Sequence, residues 1–257
     1  MTEVVPVLLY HAVADCASSW IGDFTVRPAD FERHLELIVE SGRTPITMSA
    51  LVDGFTGRAA LPAAPVAITF DDGFADTAET AAPMLAERDM VATVYVTSGF
   101  VQRGASPGGD RMLDWHRVRE LDTLGHEVAA HSHTHPQLDL LGAGESLDEI
   151  VRSKQLVEDA VGHGVRSFAY PHGYHTPRVR AQVAGAGFDS ACAVRNALTH
   201  PGDHRLALAR LMLTARTTTD DVTRWLAGHG APAAAELDPL RTKAWRLYRR
   251  ARSRTQR

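Results

Sequence analysis

The chain has 257 residues, 44% hydrophobic and 23% charged, which is the balance of a globular protein at a length that α/β barrels fill as one domain. Its two cysteines, Cys16 and Cys192, exclude a disulfide framework and a cysteine-type zinc site. The net charge of −4 is uneven: residues 1–240 carry 19 basic and 31 acidic side chains and 241–257 eight basic and none acidic, so the acidic body speaks against nucleic acid as a partner.

Val4 to Tyr10 reads as a first buried strand, with His11 just past its end. Pro28-Ala29-Asp30 opens a helix whose apolar stripe is Phe31, Leu35 and Ile38, closed by Gly42. A short helix around Ser49-Ala50-Leu51 precedes the strand Pro65 to Phe70, which stops abruptly at Asp71-Asp72-Gly73. Neighbouring strand residues point to opposite faces, so the two carboxylates converge only if the strand ends there, with Gly73 supplying the backbone freedom. A helix over Asp76 to Arg88 and a β-branched strand over Val91 to Thr97 follow. Ser98 to Arg111, with its glycines and Pro107, reads as a loop, either a lid or a plain connector, and Trp115, at the start of the next helix, as a wall for a sugar or, equally, a core residue.

Glu127 to Ala130 is a short strand delivering His131-Ser132-His133-Thr134-His135, and a longer helix runs over roughly Leu147 to Val161. Ser167 to Tyr170 is the next strand, broken by Pro171-His172-Gly173; Thr176-Pro177 is an N-cap with proline at the first helical position. Phe188 to Val194 and Leu206 to Leu213 are the last strands and Asp220 to Leu226 the last core helix. About seven alternations of strand and helix argue for an α/β fold with a parallel sheet. His11, Asp71-Asp72, His131 and Pro171-His172 all fall at strand ends, where parallel barrels build their sites. The two clusters together offer one or two carboxylates and two or three imidazoles, a donor set for zinc or a similar divalent ion.

Thr69-Phe70-Asp71-Asp72-Gly73 resembles the first motif of the polysaccharide deacetylases, the NodB-homology group of carbohydrate esterase family four. His131-Ser132-His133-Thr134-His135 is similar to their second motif, and Tyr170-Pro171-His172-Gly173 resembles the third. The resemblance spans roughly residues 4–226 and implies a single-domain deformed (β/α)7-type barrel, with residues 1–228 as catalytic domain and 229–257 as linker and basic C-terminal tail. It implies Asp71 as catalytic base and Asp72, His131 and His135 as metal ligands. His133 stays an alternative ligand, because Pro136 pushes His135 away from helical angles.

Two departures stand out. The third motif usually begins with an arginine that orients the base, and Ala169 stands there; the motif's usual tyrosine is His172, whose backbone N–H remains a donor for an oxyanion. The family's last motif supplies a general-acid histidine, and Leu206 to Arg210 has none. Leu9-Tyr10-His11-Ala12-Val13 instead resembles the N-terminal motif of the poly-N-acetylglucosamine deacetylase branch, which makes His11 the candidate acid, with His172 and His175 as backups.

The expectation is a metal-dependent hydrolase that removes N-acetyl groups from N-acetylglucosamine-type sugars in a polysaccharide or glycan precursor. Zinc is the first metal, with cobalt, nickel or manganese accepted by the same ligands. The competing expectations are a carbohydrate O-acetyl esterase and a catalytically degenerate carbohydrate-binding protein. No signal peptide or membrane-spanning stretch is evident, which suggests a cytoplasmic protein. Leu240, Ala244, Leu247 and Ala251 share a helical stripe in a basic tail, a pattern for peripheral contact of 241–257 with an anionic membrane; a solvated terminus fits equally.

Overall fold

A computed structural model describes residues 4–233; the basic segment 241–257, and with it the membrane contact expected there, lies outside the described residues. The strands are β1 (Val7–Tyr10), β2 (Ala12–Val13), β3 (Thr25–Val26), β4 (Thr44–Ile46), β5 (Pro65–Phe70), β6 (Thr93–Val96), β7 (Glu127–Ala130), β8 (Ser167–Ala169), β9 (Ser190–Cys192) and β10 (Leu211–Met212). The helices are α1 (Pro28–Glu40), α2 (Met48–Phe55), α3 (Ala82–Ala86), α4 (Ser98–Arg103), α5 (Trp115–Thr123), α6 (Ala143–Val161), α7 (Pro177–Gly185) and α8 (Thr219–Leu226). Eight strands form one curled parallel sheet in the order β10-β1-β5-β6-β7-β8-β9, with β4 beside the first half of β5. Leu208 bridges Cys192 while β10 pairs with β1, so the stretch 205–212 closes the curl between the two edges. This is the deformed barrel expected.

The alternation of each strand decides what enters the barrel. On β5, Val66, Ile68 and Phe70 face the helix layer and belong to the main core, whereas Ala67 and Thr69 face inward. Outside, α1 buries Phe31, Leu35 and Ile38 against the sheet, the stripe read from the sequence. Each such side chain contributes roughly 1.5–3 kcal/mol when fully buried. Inside, Val7, Ala67, Tyr95, Ala129, Ala169, Cys192 and Leu208 form a second, smaller cluster. Continuing the period of two, Asp71, His131 and Arg210 follow Thr69, Ala129 and Leu208 on the same inner face, toward the C-terminal rim.

Several local readings are corrected or refined by the structure. Ser98–Arg103 is not a lid loop but a helix, with Ser98 to Val101 buried and Gly104 closing it at φ 70°. Asp76 to Arg88 is helical as read, built as a π-helical turn over Thr77–Ala81 continued by α3. Of the two readings of Trp115 the core one holds: it packs, half-buried, on the main core. Among the described residues no helix is long and apolar enough to cross a membrane.

Candidate active site

β5 ends in a three-residue turn in which Gly73 N–H donates to Asp71 O at 2.9 Å. The left-handed angle falls on Asp72 itself, at φ 71°, as well as on Gly73. A γ-turn of this hand is rare and strained, and it is what swings two consecutive carboxylates to the same side. Both are buried, with 2% of their surface exposed.

Asp72 meets the histidines delivered by β7. Its Oδ1 lies 3.1 Å from His135 Nε2 and 3.4 Å from His131 Nε2, and it has no hydrogen-bond partner within the fold. One donor atom from each of Asp72, His131 and His135 lies within 4.8 Å of the others. His131 Nδ1–H donates to Ala169 O at 2.8 Å, which commits Nε2 to the cluster as a lone-pair donor. Burial opposes the Asp72 carboxylate, but His135 and His131 outweigh it and hold its pKa well below the usual value. An orphaned buried carboxylate oxygen facing two imidazole nitrogens fits a divalent cation. His133 turns elsewhere, its Nδ1 sharing a hydrogen bond with Ser98 Oγ at 2.9 Å.

Asp71 is gripped from the stretch 205–212 that closes the barrel. Arg210 Nη1 and Nη2 donate to its two oxygens at 2.6 and 2.7 Å, in a bidentate pair with neither side chain exposed. Arg210 also reaches Thr69 Oγ1 and Ala193 O, and its guanidinium lies over the Tyr95 ring. Burial pushes the Asp71 carboxyl upward, yet Arg210 and then His131 outweigh it, so Asp71 stays ionised. The guanidinium that Ala169 cannot supply thus comes from the closing stretch 205–212. Sequence reasoning missed it, although a single charge within Leu206 to Leu213 signals a buried partner.

The cluster opens into a cleft of about 280 Å³ lined by His11, Asp71, Asp72, His131, His135 and His172 and walled by Trp20, Phe24, Tyr174 and Met212 among others. His11 therefore does reach the site from β1. Burial lowers its pKa, against the pull of Asp72 and Asp71. His172 occupies a left-handed turn at φ 57°, and its ring lies 4.7 Å from that of His135. His175 does not line the cleft; its ring stacks on Tyr170. Trp20 takes the position expected of Trp115. It is braced by Phe74 and Phe100, on a loop that Asp110 pins by accepting from Ser18 N and Ser18 Oγ.

A buried carboxylate–imidazole cluster and an adjacent ionised carboxylate thus share one cleft at the C-terminal rim of a parallel barrel, where such folds place their sites. The family model for polysaccharide deacetylases matches residues 58–191, and the chain belongs to that family. It is similar to YxkH of Bacillus subtilis (strain 168), a protein named for the same family, with 24% identity over 72% of this chain; the match spans 62% of that relative's length. IcaB from Ammonifex degensii superposes with a TM-score of 0.77 at 25% identity, over 88% of this chain and 96% of that one. Streptococcus pyogenes deacetylase PplD, solved with acetate, gives 0.78 at 19% identity over 86% and 97%, a likeness of fold.

Proposed function

We propose that residues 1–228 form a metal-dependent deacetylase that removes N-acetyl groups from N-acetylglucosamine-type sugars in a polysaccharide or glycan precursor. The observation that carries this reading is the pairing, in one cleft, of the Asp72–His131–His135 donor set with an Asp71 carboxylate kept ionised by Arg210. A divalent ion held by Asp72, His131 and His135, zinc first among those suited to two imidazoles and a carboxylate, would polarise the acetamide carbonyl and acidify water.

The chain's own groups divide the remaining work. Asp71 is the base for the attacking water, and Arg210 fixes its direction and charge. The backbone N–H of His172, a residue that lines the cleft, is the donor assigned to the tetrahedral oxyanion. His11 gives its proton to the departing amine, which leaves poorly as an anion. Acetate and a free amino sugar result.

The test is acetate release from N-acetylglucosamine oligomers, run beside an O-acetylated glycan. Release from the amide substrate supports the reading. Release from the ester alone replaces it with an O-acetyl esterase.

A further inference from the structure

The segment 131–135 must turn sharply and still return His135 to Asp72. Ser132 and His135 both sit at φ 63°, a conformation that costs a non-glycine residue on the order of 1 kcal/mol or more. A turn with two such residues persists only where its surroundings over-determine it. Ser132 Oγ accepts from His135 N–H at 3.0 Å. From α4, Gly99 N–H donates to His133 O at 2.7 Å; a Cβ at Gly99 would lie 2.5 Å from that oxygen, so only glycine permits the approach.

The third support comes from α6. Glu149 Oε2 accepts from both His133 N–H, at 2.9 Å, and Thr134 N–H, at 2.7 Å, while Oε1 accepts from Thr134 Oγ at 2.6 Å. Two successive backbone N–H groups converging on one oxygen form an anion-binding nest, and bonds to a charged acceptor are about twice as strong as neutral ones. Glu149 does not line the cleft. All three of its bonds fall on His133 and Thr134, two of the three residues between His131 and His135.

The geometry points to Glu149 as a positioning residue for the metal centre: its carboxylate locks the 131–135 turn and so presets the two imidazoles around Asp72. This rests on the metal-centre reading above. Without the carboxylate, the two positive-φ residues relax, and metal binding must itself supply the free energy that re-forms the turn. Glu149 therefore acts on metal affinity more than on the fold, because α6 stays anchored by Ile150, Ser153 and Val157.

The experiment is chelator-competition titration of zinc into the full chain, as wild type, Glu149→Ala, Glu149→Gln and Glu149→Asp, with the melting temperature of each metal-free protein. Glu149→Ala should bind zinc about 10–100-fold more weakly, the usual effect of losing an outer support of a ligand. Glu149→Gln should retain most of the affinity, because its amide oxygen can accept both N–H groups and its NH2 can donate to Thr134 Oγ. Glu149→Asp, one methylene short, should lose affinity in the same direction and stands in should Glu149→Ala fail to fold. Wild-type zinc affinity in Glu149→Ala, or in Glu149→Asp as its stand-in, overturns the inference and leaves the metal centre standing. No zinc binding by the wild type overturns both.

Discussion

Arg210→Met removes the guanidinium while keeping an apolar side chain to fill much of its place in the barrel. Arg210 has none of its side chain exposed and makes the bidentate pair with Asp71, itself 2% exposed, so the substitution strands a buried carboxylate. Leaving one member of a buried ion pair unpaired costs about 3–5 kcal/mol, a drop in melting temperature on the order of 10 °C for a chain of this size. Burial is the first influence on Asp71 and favours its neutral form, so without Arg210 the carboxyl titrates higher and the acidic limb of kcat/KM moves up in pH. Turnover should fall about 10²–10⁴-fold. Bound metal should be unchanged, because Arg210 bonds none of Asp72, His131 and His135. The assay combines kcat/KM against pH, melting temperature and metal content. Asp71→Leu combined with Arg210→Met should recover stability without activity, since the stranded charge is gone. An Arg210→Met enzyme with wild-type turnover and an unmoved acidic limb would refute the reasoning.

The pH dependence follows from two other groups. Burial lowers the His11 pKa, so the alkaline limb of kcat/KM should lie below the ordinary histidine value, and His11→Asn should abolish that limb with the activity; a fully active His11→Asn removes the acid assignment. Asp76 is pushed up to about 6 by burial, against the bond it accepts from Val13 N–H. A carboxyl raised in the folded state contributes stability that is present at low pH and lost as pH rises through the folded pKa. Asp76→Asn, whose oxygen can still accept from Val13, should thus raise stability by about 1 kcal/mol at pH 7.5 after allowance for its partial exposure, with the gain vanishing near pH 4. An equal effect at both pH values would contradict this.

Much of the site was legible because strand alternation is local. Apolar runs ending in Asp71-Asp72, His131 and His11 name both the strands and the rim, and the structure brings all three ends into one cleft. The partner of Asp71 was not legible in the same way. Arg210 reaches Asp71 only because residues 205–212 close the barrel between β9 and β1, a pairing set by long-range packing. Its parity with Leu208, and the cost of a lone charge in an apolar stretch, were the available signals. Trp20 gave none, since an irregular loop has no period to read. At Asp72, a glycine next door suggested the turn, but the left-handed strain sits on the carboxylate residue, where the surrounding bonds enforce it.

The most direct test of the proposed function is acetate release from an N-acetylglucosamine oligomer by chelator-treated, zinc-restored and Asp71→Asn protein, with bound metal measured alongside. The mechanism predicts loss of release on chelation, recovery with zinc, and an Asp71→Asn protein that binds zinc but releases no acetate. Release unaffected by chelation, or undiminished in Asp71→Asn, would contradict it.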